Sequence, residues 1–114
     1  MESILNTIKS FVGITAEYTH FDNQIIPHIN SVFMDLQQMG VGPVEGFMIE
    51  DDTSTWSEFM PAGINLEAVK SYMGIRVRLL FDPPLNSAVL QAMQAEANRW
   101  EWRLNVAAET KQSS

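Results

Sequence analysis

Apolar residues recur along this chain in helical stretches, separated by short runs of glycine, proline and polar residues. In residues 3–12, Ile4, Leu5, Ile8, Phe11 and Val12 fall at three- and four-residue spacing, with Ser3 suited to cap the start and Gly13 to stop the helix. Such a short helix is expected to need the rest of the fold to dock against. A second helix is predicted from Asp22, taken as its N-cap, to Gly40. Ile25, Ile26, Ile29, Val32, Phe33, Leu36 and Met39 share one arc, and Asn23, Asn30, Ser31, Asp35 and Gln38 lie opposite. Pro27 falls a turn inside that start, where it removes a hydrogen bond or moves the start later.

Residues 40–54, GVGPVEGFMIEDDTS, are predicted as the long loop, with Phe47, Met48 and Ile49 the strand-like piece. Loops of this length in small domains are often functional, which makes Phe47, Glu50, Asp51 and Asp52 candidate contact residues. Thr55 and Glu58 have capping-box spacing ahead of a short helix, Trp56 to Met60, that Pro61 and Gly63 close.

A third long helix is predicted from an Asn65 cap to about Phe81, and it is apolar over most of its circumference. Ala68, Val69, Tyr72, Met73, Ile75, Val77, Leu79, Leu80 and Phe81 spread over a broad arc, leaving Glu67, Lys70, Ser71 and Arg78 as the polar strip. Such a helix is expected to be covered on most sides. Arg76 projects into the apolar arc, where an unpaired charge is costly, so it is expected to reach a carboxylate of this subunit or of a neighbour. Gly74 costs about 1 kcal/mol in a helix interior and implies room for a close helix crossing.

Asp82-Pro83-Pro84 ends that helix, because proline lacks the donor and biases its predecessor away from helical geometry. After a cap at Asn86 or Ser87, the last helix carries Val89, Leu90, Met93, Ala97, Trp100 and Leu104 on one stripe. Trp102 lies roughly 200° from Trp100, on a second, narrower strip with Ala88, Ala95 and Val106. Either Trp102 folds under its own chain or it anchors an interface with Arg76, Arg99, Arg103 and Val106. From about Ala107 the composition reads as a flexible tail, giving one helical domain over residues 1–106 and a tail over 107–114. The expected fold is mainly α, a small bundle of three long helices plus short ones, with a long loop able to hold a short strand.

Composition narrows the function classes. At 114 residues the chain is long enough for one modest core. With 7 basic and 14 acidic residues its formal charge is -7, which disfavours nucleic-acid binding. It has no cysteine, hence no disulfide framework, thiolate metal site or cysteine nucleophile. Its start lacks the basic leader and apolar run of a signal peptide, and no apolar stretch is long enough to span a bilayer. The expectation is therefore a soluble chain made in the cytoplasm.

Catalytic and metal chemistry find little support. His20 and His28 lack the i, i+4 spacing of helical zinc ligands. Glu50, Asp51 and Asp52 lack the alternating ligands and central glycine of a calcium loop, and Gly40, Gly42 and Gly46 match no phosphate cradle. No cofactor, metal site or enzyme activity is expected.

HINSVFMDLQQMGVGPVEGFMIEDDTSTWSEF, then LEAVKSYMGIRVRLLFDPPLNSAVLQAM, then EWRLN resemble the small head-tail connector proteins, also called head-completion or adaptor proteins, of tailed bacteriophages and prophages. The resemblance runs from about Ile4 to Val106. It implies a helical virion protein that assembles in the host cytoplasm and sits at the head-tail junction. There it would form a homo-oligomeric ring beneath the portal protein and extend the DNA channel toward a tail-side stopper or completion protein. It also implies that residues 106–114 reach the portal, that the loop of residues 40–54 projects toward the next component, and that DNA passes without specific binding. No membrane partner is implied. The competing reading is a small prophage or bacterial regulatory or scaffold protein that binds one protein partner through its last helix.

Overall fold

The computed structural model describes residues 2–60 and 65–113, with side chains of the last helix taken through Ala108. Among the described residues there are five helices, α1 (Ile4–Phe11), α2 (Asp22–Met39), α3 (Trp56–Phe59), α4 (Leu66–Phe81) and α5 (Ser87–Ser113), and no strand. The mainly helical fold expected from the periodicity is the fold observed. The predicted closure of α3 by Pro61 and Gly63 lies outside the described residues.

The breadth of the apolar arc on α4 has a direct structural counterpart, since α1, α2 and α5 all pack against this one helix. Val69, Tyr72, Met73 and Val77 are fully buried there. They meet Ile4, Leu5 and Ile8 of α1, Ile25, Ile29, Val32, Phe33 and Leu36 of α2, and Leu104 of α5 in one core. The subunit measures 43 × 35 × 19 Å, so its thin dimension is two helix diameters, about 10 Å each.

Gly74 provides the close approach that its cost implied. A Cβ built there would lie 2.5 Å from the Phe11 ring, so α1 sits on α4 where only hydrogen leaves room. Gly40 ends α2 in the left-handed region, with φ 85°, and its N–H and that of Val41 return to the last carbonyls of the helix. Ser3 caps α1, its Oγ accepting from Asn6 N at 3.2 Å. Asn86 caps α5, its Oδ1 accepting from Ala88 N at 2.9 Å and Val89 N at 3.1 Å.

Four local readings change. Asp22 is the first residue of α2 and not its N-cap, which is Phe21 without a side-chain cap bond; the Asp22 carboxylate is taken by Lys9. Asn65 precedes α4 in the left-handed region, φ 64°, and its side chain caps nothing. Phe47, Met48 and Ile49 form no strand, because Asn30 supplies the pairing: its Nδ2 donates to Ile49 O at 3.0 Å and its Oδ1 accepts from Ile49 N at 2.8 Å. Finally, α5 continues helically past residue 106, and Ala108 is buried in the core; Ala, Glu, Lys and Gln in this segment are all good helix formers.

Candidate functional site

Most of the charges that bridge helices are spent holding the subunit together. Arg76 Nη2 lies 2.9 Å from Asp35 Oδ2 of α2, and its Nη1 donates to the Tyr72 hydroxyl. The expected carboxylate is thus in the same subunit. Burial opposes the Arg76 charge, but Tyr72 and Asp35 outweigh it and raise its pKa. On the other flank of α4, Lys70 Nζ reaches Glu2 at 2.6 Å and Glu67 at 3.3 Å and lies 5.8 Å from the Trp56 ring centroid. The hydrogen bond from Lys70 holds Glu2 below the usual carboxylate range.

The long loop is docked on α2 by side chains at both ends. Asn30 grips Ile49, and Gln37 Nε2 donates to Val44 O at 2.9 Å. Phe47 turns inward, 5.2 Å from Phe33 and 5.5 Å from Phe59 between ring centroids. What this leaves outward is compact: Val44 is 91 % exposed, Met48 69 %, and Glu50, Asp51 and Asp52 are exposed beside them. The loop then runs into α1, with Ile4 N donating to Ser54 O at 3.0 Å and Trp56 Nε1 to Thr7 Oγ1 at 3.0 Å.

The outer face of α5 is the second outward surface. Ala97, Leu104 and Ala108 are buried and Trp100 half-buried, whereas Trp102 is 66 % exposed and Val106 39 %. Ala88, Ala92 and Ala95 are exposed on the same side, so the helix presents small and apolar residues to solvent for much of its length. Arg99 is held by Glu96 at 2.7 Å. Arg103 stacks over the Trp100 ring at 5.1 Å and has no carboxylate partner among the described residues. A third, smaller surface is the hairpin tip between α4 and α5, where Leu80, Leu85 and Val89 are exposed.

His20 packs edge-on against Phe21 and tilted against Tyr18, and no metal-binding cluster occurs among the described residues. No helix among the described residues is long and apolar enough to cross a membrane. The sequence reading missed Lys9, Asn30 and Leu85. Lys9 could have been found, because it falls on the apolar stripe between Leu5 and Val12. Asn30 carries no such signal, since its role depends on where a distant loop returns.

Searches of curated proteins and of solved structures returned no match. The family model described as phage connector protein matches residues 4–111, nearly the whole chain. That family is structural, and its role implies contact with other proteins of the phage head or tail. With a mainly helical fold and a family match that spans all five helices, the chain belongs to the phage connector protein family.

Proposed function

We propose that this protein is the adaptor that joins the portal vertex of a phage head to the tail, working as a ring of identical subunits around the DNA channel. The observation that carries the reading is the outer face of α5, where Trp102 is 66 % exposed on a helix whose Leu104 and Ala108 lie in the core. Tryptophan and arginine are the residues enriched at the energetic centres of interfaces, and Arg99, Trp102, Arg103 and Val106 share this face. Arg76 is left out of the interface, since Asp35 of its own subunit pairs with it. The formal charge of -7 supports a channel wall along which DNA slides without adhering. The portal on one side and a tail-side stopper or completion protein on the other are the partners of this reading.

Native mass spectrometry of the purified protein across a concentration series, alone and with portal rings, tests it. Cyclic oligomers, free or captured on the portal, are the expected result. A stable monomer or dimer that ignores the portal would reject the adaptor and favour a regulatory protein binding one partner through α5.

A further inference from the structure

Two outward surfaces of the subunit are complementary in charge. The loop face combines apolar Val44 and Met48 with Glu50, Asp51 and Asp52, and residues 41–55 contain no basic residue at all. The α5 face combines Trp102 and Val106 with Arg99 and Arg103, of which Arg103 has no carboxylate partner among the described residues. Each is an apolar patch beside charge, acidic on the loop and basic on α5 through Arg103, since Arg99 is already paired with Glu96 at 2.7 Å. Matching potentials of this kind set register and suppress wrong partners.

Their positions also fit. Lys70 and Gly74 of α4 face α1, through Glu2 and Phe11 respectively. The loop is tied to that same side through Ser54 and α3. Tyr72 and Arg76 point roughly 160° away around the helix, at about 100° per residue. There the charge of Glu101, on α5, acts on Tyr72. On α2, Asn30 and Gln37 hold the loop on one flank, and Asp35, roughly 150° round, faces Arg76. The loop and α5 therefore occupy opposite sides of the subunit. Two different, complementary patches on opposite sides make a head-to-tail contact, which closes into a ring where the rotation between copies closes.

We infer that the loop face of one copy, Val44 and Met48 with Glu50 to Asp52, docks on the Arg99, Trp102, Arg103 and Val106 face of α5 in the next copy. This rests on the ring reading above and identifies which surfaces meet within it.

The chain has no cysteine, so single cysteines report contacts cleanly. Met48→Cys and Val106→Cys chains, both altered at exposed positions and with every charge kept, are mixed and treated with a short bismaleimide crosslinker. Mixed pairs are expected several-fold above their random share, and Arg99→Glu with Arg103→Glu in the Val106→Cys chain should remove that excess. Mixed pairs at or below the random share overturn the pairing, and an excess that survives charge reversal overturns the electrostatic match. Native mass spectrometry of the same samples reads ring formation separately. Rings with random crosslinking would reject this pairing while leaving the connector reading intact.

Discussion

Lys9 Nζ lies 2.9 Å from Asp22 Oδ1, joining α1 to the first residue of α2, with the lysine side chain 1 % exposed and the aspartate 22 %. The ammonium also donates to Ala16 O at 3.1 Å, so it fixes the connection between the two helices as well as their ends. Asp22→Ala leaves a buried ammonium without a countercharge and should cost about 3 kcal/mol. Lys9→Met should cost less, because the partly exposed carboxylate can hydrate. Urea unfolding of both variants measures the difference, and equal losses would mean that the lysine is not the more deeply committed partner.

Gly74→Ala sets two effects against each other. Alanine gains about 1 kcal/mol of helix propensity. Its methyl would meet the Phe11 ring at 2.5 Å, and overpacking of that kind costs typically 1–3 kcal/mol. A net loss is expected in the natural background. In a Phe11→Ala background the same substitution should become stabilising, and a double-mutant cycle of thermal or urea melts would reveal that reversal of sign.

Tyr72 is fully buried, and burial chiefly raises its pKa above the ordinary 10.0. An acid raised in the folded state contributes stability that is fully present below the unfolded pKa and is lost as pH rises through the folded value. Stability should therefore fall on the alkaline side, above about pH 10. Tyr72→Phe should flatten that limb while losing the bond from Arg76. Denaturant melts between neutral pH and pH 11 test this, and an unchanged alkaline slope would assign the loss to other groups.

Trp102 and Leu104 stand two residues apart on α5 with opposite fates, 66 % and 2 % exposed. Leu104→Ala opens the core and should cost about 2–5 kcal/mol. Trp102→Ala should change folding stability by no more than about 0.5 kcal/mol. Its effect should instead fall on self-association or portal binding. A Trp102→Ala protein that melts early but assembles normally would remove this side chain from the interface.

The helices are legible in the chain alone, because each is written in local signals. Three- and four-residue apolar spacing, Ser3, the Gly40 stop and the Asp82-Pro83-Pro84 break act within a turn or two of where they occur. The breadth of the apolar arc on α4 also implied a helix covered on most sides, and α1, α2 and α5 cover it. The outward direction of Trp102 was left open, because periodicity shows that two tryptophans diverge without saying which one finds the core.

The polar contacts between distant segments depend on how the helices pack. Asp35 was legible as a polar residue of α2, but its meeting with Arg76 depends on how two helices cross. Asn30 and Ile49 are 19 residues apart, and their paired hydrogen bonds turn a loop with free backbone groups into a docked one, with Phe47 facing inward and Met48 outward. Helix periodicity is a property of neighbours in the chain, and so it survives in the sequence. Which surfaces remain open after packing depends on every other element at once, and that is why the α5 strip and the acidic loop could be named as candidates from the chain while their exposure was visible only in the folded protein.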